Sequence, residues 1–111
     1  APGNYAMYGA EGVAAVALPI LHMTGSEDRP DANENIWSAL PSPAVRVHVD
    51  GGCHQLFALG GCELIDDAIG LPIINAYALA FARHHLLADA GVHGLLDGTE
   101  VFDEAVTLSV K

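Results

Sequence analysis

Residues 13–23 are apolar almost throughout, and from Ile20 the run does not alternate, the pattern of a strand buried on both faces in a parallel sheet. Pro19 can open such a strand but could not lie inside it, because proline has no N–H to give to the ladder. The chain then switches at Thr24-Gly25-Ser26-Glu27-Asp28-Arg29-Pro30-Asp31 to turn formers and acids, which predicts a loop at the strand's C-terminal end. In open α/β sheets that end is where ligands bind. A second strand, 44–49, is β-branched and alternating, and it runs into Asp50-Gly51-Gly52-Cys53-His54. The glycines permit a backbone turn there, which leaves His54 in a loop after the strand.

Between the two strands, 33–40 fits a short helix carrying Ile36, Trp37 and Leu40 on one side, with Asn33 as cap and Pro41-Ser42-Pro43 as its stop. Residues 55–71 read as loop. Pro72 is expected to open a long helix over 73–87, burying Ile74, Tyr77, Leu79, Ala80, Phe81 and Leu86. Gly91, Gly94 and Gly98 break up the tail, and 101–110 fits a last strand on the sheet edge. Residues 1–12 show no period and are expected to be irregular. Strand, helix, strand, helix, strand implies an α/β chain with parallel strands and crossover helices. At 111 residues it is a single segment, 1–111, one domain or less. Two or three strands that each want neighbours make an incomplete sheet, so the segment reads as one end of a larger fold, with a processed or truncated start.

With 51% apolar and 16% charged residues, disorder is excluded. Four Lys and Arg against fourteen Asp and Glu leave a net charge of −10, a field that repels phosphate backbones and anionic lipid, so neither nucleic acid nor membrane is expected as a partner. No apolar run reaches the roughly 18 to 20 residues of a membrane span. Lys111, the last residue, is the one lysine, which removes P-loop and Schiff-base chemistry. A metal is not expected. His22 lies inside a strand and reads as a core imidazole hydrogen-bonded to a neighbour, and His48 falls on a sheet face with no evident partner. His84 and His85 point about 100° apart on a helix and cannot share a metal, although they suit its C-terminal dipole. Cys53, His54 and Cys62 lack a fourth ligand at zinc spacing. The two cysteines either close a local disulfide bracing the His54 turn or stay as buried thiols. Low lysine, acidity and that cysteine pair lean towards an exported bacterial protein.

An acid after one strand and a histidine after the next can deliver two members of a Ser-His-Asp triad, with Asp28 accepting the imidazole N–H of His54. Glu27 and Asp31 are the neighbouring alternatives to Asp28. The sequence Pro19-Ile20-Leu21-His22-Met23-Thr24-Gly25-Ser26-Glu27-Asp28, then Leu40-Pro41-Ser42, then Val49-Asp50-Gly51-Gly52-Cys53-His54 resembles the C-terminal third of an α/β-hydrolase, in the dienelactone hydrolase-like, acetylhydrolase-like and cutinase branch. Gly25 to Asp28 matches the family's Gly-x-x-Asp, and Gly51 to His54 its glycine-rich histidine loop. The long helix and the tail match its last helix and edge strand.

The resemblance implies carboxylic ester hydrolysis through an acyl-enzyme, with Asp28 and His54 catalytic, Leu56 and Phe57 placed to line the substrate pocket, and no cofactor. No G-x-S-x-G surrounds Ser26, Ser38, Ser42 or Ser109, so the nucleophile and oxyanion hole are expected on the N-terminal portion of the same hydrolase, and this chain alone should be inactive. Its other partner is a small ester substrate. Two rivals remain open. A non-catalytic α/β module or subunit would bind through its free sheet edge and expose no apolar face. A hydrolase of the same fold could use Cys or Asp as nucleophile.

Overall fold

The structure, a computed structural model, describes residues 3–111, with side chains from Tyr8 onward. Its elements are α1 (Gly3–Ala14), β1 (Ile20–Glu27), α2 (Pro30–Ala39), β2 (Ala44–Cys53), a 3₁₀ turn (His54–Phe57), α3 (Asp67–Leu87), a second 3₁₀ turn (Ala90–Val92), α4 (His93–Asp97) and β3 (Val106–Val110). The chain is α/β, with one three-stranded mixed sheet in the order β1-β2-β3.

β1 and β2 pair in parallel from Ile20 opposite Ala44, with α2 as the crossover between them. β3 is on the edge as expected but runs antiparallel, with Val45 opposite Val110 and Val49 opposite Val106. The segment after α4 returns to the end of β2 near Asp50, whose N–H bonds Ala105 O at 2.8 Å, so β3 has to run back along its neighbour. β2 alternates across the sheet. Val45, Val47 and Val49 pack with Leu56, Ile73, Tyr77 and Val106 beneath α3, while Ala44 joins Val13, Ile36, Trp37 and Leu40 beneath α1 and α2.

Several boundaries differ from expectation. Residues 3–14 form a helix broken at Gly9, docked through Val13, where no periodicity marked one; residues 1 and 2 lie outside the described residues. β1 continues through Thr24, Gly25, Ser26 and Glu27, and β2 through Asp50, Gly51, Gly52 and Cys53. α2 starts at Pro30, so Asn33 is a buried residue of its first turn rather than its cap. α3 starts at Asp67, where the Asp66 side chain accepts from Ala68 N–H, and Pro72 lies inside the helix. Along α3 the buried residues are Gly70, Ile73, Tyr77 and Ala80, whereas Leu79 and Leu86 are exposed.

Candidate active site

Asp28 reaches its place because β1 and β2 touch backbone to backbone before they part. A Cβ on Gly25 would lie 2.0 Å from Gly52 O, so only glycine admits this approach. The ladder shifts there: Gly25 faces Val49, yet Glu27 faces Cys53. The longer β2 segment takes up the difference with Gly51 at φ 73°, and Gly51 N–H donates to Ser26 Oγ at 2.9 Å. Asp28 then leaves the strand, its N–H bonded to Gly25 O at 3.1 Å, and is followed by Arg29 in the left-handed region (φ 46°, ψ 66°). Pro30 opens α2, as its missing N–H and fixed φ suit.

His54 is held by its own loop. The structure joins Cys53 to Cys62, with Cα atoms 5.5 Å apart, and Cys53 N–H also points at Cys62 Sγ at 3.0 Å. Gln55 O accepts from the N–H groups of Ala58, Leu59 and Gly60, which closes the turn after the histidine. Asp28 Oδ1 lies 3.1 Å from His54 Nδ1, and the two differ sharply in burial: the Asp28 side chain is 2% exposed, that of His54 65%. A carboxylate only accepts, so Nδ1 carries the proton and Nε2 keeps its lone pair for a substrate-side proton. The arrangement can perform general base, then general acid, catalysis. Glu27 and Asp31, the alternative acids, are both exposed and bond elsewhere or point to solvent.

An open groove of about 320 Å³ runs past the pair, lined by Leu21, His22, Met23, Asp28, His54, Phe57, Ile74 and Ala78. Phe57 is one of the residues that line this groove. Leu56, expected there as well, is not: it is 1% exposed and packs against Gly52 and Gly70 in the core, because successive residues of the 3₁₀ turn point to different sides. None of the four serines hydrogen-bonds His54. Ser26 bonds Gly51 and Glu27, Ser109 lies 3.4 Å from Arg46, and Ser38 and Ser42 are exposed near the end of α2.

Of the other histidines, His22 also lines the groove. His48 has a partner after all, the Thr24 hydroxyl at 3.0 Å across the β1–β2 pair. His22 is buried and stacked on Trp37, with ring centroids 6.3 Å apart, but neither ring nitrogen has the hydrogen-bond partner expected of it. Loss of hydration pushes its pKa down to about 4, helped by Arg46 across the strand pair and opposed by Asn33 and Glu34. His84 contacts His85 and His93, at ring-centroid distances of 4.8 and 5.4 Å. Among the described residues no three His, Cys, Asp or Glu groups converge to hold a metal, and the sulfurs of Cys53 and Cys62 are committed to each other.

Both the buried imidazole and the disulfide should be measurable in the stability of the chain. Well above pH 6.5 His22 is neutral whether the chain is folded or not, and its contribution is complete. As the pH falls from 6.5 towards 4 the unfolded chain takes up the proton first, so stability is lost, on the order of 2 to 3 kcal/mol between pH 7 and pH 4.5. Urea melts at both pH values should show this loss reduced by that amount in His22→Phe, which keeps the stacking on Trp37; equal losses in parent and variant would refute it. Separately, the disulfide closes a loop of sequence separation 9, worth about 2.5 to 3 kcal/mol of chain entropy in the unfolded state. The Cys53→Ser/Cys62→Ser variant should therefore melt about 10 to 20 °C lower than the oxidised parent. An unchanged midpoint would show that the bond constrains nothing.

No protein-family model, curated protein or solved structure matches this chain.

Proposed function

We propose that the chain is the C-terminal segment of an α/β-hydrolase and supplies the acid and base of a Ser-His-Asp triad for carboxylic ester hydrolysis. The observation that carries this is a buried carboxylate, Asp28, paired to Nδ1 of an exposed imidazole, His54, both at the C-terminal ends of neighbouring parallel strands. In this reading a serine hydroxyl from the N-terminal portion attacks the ester carbonyl while His54 Nε2 accepts its proton. The proton passes to the leaving alcohol, and water attacks the acyl-enzyme with the same assistance. Asp28 holds the imidazole in the productive tautomer and stabilises the imidazolium. Phe57, Leu21, Met23 and Ile74 form the apolar wall beside it, suited to the hydrocarbon part of an ester.

Two features favour a segment of a larger domain over a free-standing binding module. β1 is paired on one side only among the described residues. α3 is apolar all round, leaving Leu79, Leu86 and Leu87 60%, 80% and 71% exposed on the side away from the sheet. A helix of that kind belongs inside a fold. A free-standing module would present no such face.

The test is turnover of p-nitrophenyl acetate by the full-length polypeptide that carries this segment, with labelling by a fluorophosphonate. We expect both, and neither from residues 1–111 alone. A folded full-length protein that does neither overturns the proposal. Turnover without labelling would move the nucleophile to Cys or Asp.

A further inference from the structure

We infer that Asn33 is a positioning residue for Asp28, an inference that rests on the Asp28–His54 pair being the working acid and base. Asn33 sits in the first turn of α2 and is 5% exposed, beside Ile36 and Trp37, which are buried with it. Its Nδ2 donates to the backbone carbonyl of Asp28, and its own backbone N–H bonds Arg29 O at 3.1 Å. Both polar backbone groups of Asp28 are therefore held, the N–H by Gly25 O and the carbonyl by Asn33, so that only side-chain rotation is left to the carboxylate.

The restraint has something to oppose. Arg29, next to Asp28, is a non-glycine residue in the left-handed region, a conformation that persists only where its surroundings enforce it. The cap of α2 makes no side-chain hydrogen bond that would do so. Asn33 is also a costly choice for stability alone, since its buried Oδ1 makes no well-formed hydrogen bond, the His22 ring being its polar neighbour, and a leucine of similar size would bury no polar atom. The well-formed side-chain hydrogen bond that Asn33 does make is the one to the Asp28 carbonyl, beside the reacting pair.

The experiment is long-range ¹H–¹⁵N correlation of the histidine rings, at neutral pH, in the unmodified chain and in Asn33→Leu. The unmodified chain should show His54 as the Nδ1–H tautomer, and one Asn33 Nδ2 proton protected from solvent exchange. Asn33→Leu should shift His54 towards the Nε2–H tautomer, with signals of β2 and α3 unchanged, and in the full-length enzyme lower kcat about 10- to 100-fold with KM little altered. If Asn33→Leu retains the Nδ1–H tautomer, Asn33 is structural only and the inference fails. If Asn33→Leu does not fold, the exchange measurement on the unmodified chain decides: free exchange of both Nδ2 protons overturns it. An Nε2–H tautomer in the unmodified chain would instead overturn the acid–base pair itself.

Discussion

In the proposed full-length hydrolase, Asp28→Asn should lower kcat by about 10⁴-fold while KM stays within about twofold, because the substitution keeps the shape of the site and reverses its hydrogen-bond sense. An amide in place of the carboxylate can donate to Nδ1, which leaves the proton on Nε2, the nitrogen that must accept one from the nucleophile. Burial fixes the partner: at 2% exposure the Asp28 side chain is shielded from solvent on its own side of the contact with Nδ1. His54→Ala removes the base altogether and should cost about 10⁶-fold, with the double variant no worse than His54→Ala, since the two groups act as a unit. Glu27→Gln and Asp31→Asn, both exposed and apart from His54, should leave kcat unchanged. Measured kcat and KM on p-nitrophenyl acetate decide the matter. A loss below tenfold for Asp28→Asn would remove Asp28 from the role of orienting acid, and a matching loss in Asp31→Asn would pass that role to Asp31.

The same pair shows how much of the fold the residues declare on their own. Asp28 and His54 are visible because each follows a recognisable strand, and strands of β-branched and apolar residues declare themselves locally. The strand ends do not. Thr24, Gly25, Ser26 and Glu27 are turn formers by composition, and they are extended only because β2 lies against them, with Gly25 pressed on Gly52 and Ser26 accepting from Gly51. That contact joins residues more than twenty positions apart and leaves no local mark. The direction of β3 is hidden for the same reason, since nothing in its composition distinguishes a parallel from an antiparallel neighbour.

Other differences have a signal that a competing rule obscures. Asp66 before Asp67 is a good start for α3, but Pro72 is an equally familiar helix opener and points to a later one. In the observed helix the proline stands one turn further in and forgoes its backbone bond. Asn33 fits the pattern of a cap, whereas Pro30 is the true first residue and Asn33 turns inward to Asp28. Leu56 and Phe57 follow the histidine and read alike; only the 3₁₀ turn decides that Leu56 enters the core and Phe57 the groove. The exposed Leu79 and Leu86 are a different case, for their apolar character is legible, yet a periodic pattern marks an apolar face without showing what covers it.

Gly25→Ala should be the most destabilising single methyl addition in the chain, with a loss of at least about 3 kcal/mol. The added Cβ would stand 2.0 Å from Gly52 O and 2.4 Å from Gly52 C, well inside any contact real side chains make, and both are backbone atoms that no rotamer change can move aside. Relief requires β1 and β2 to separate at the point where their register shifts, which lengthens the Ser26–Gly51 hydrogen bond and carries Asp28 away from His54. Gly61→Ala is the natural control. Gly61 has φ +87° but open space around it, so an alanine there meets backbone strain alone, about 1 kcal/mol. Urea midpoints followed by circular dichroism separate the two effects, and the long-range histidine spectrum of any folded Gly25→Ala should show the Nδ1–H signature of His54 lost. A Gly25→Ala variant as stable as Gly61→Ala, with that signature intact, would mean that the strands can part without disturbing the pair, and that the approach of Gly25 to Gly52 does not set the geometry of the site.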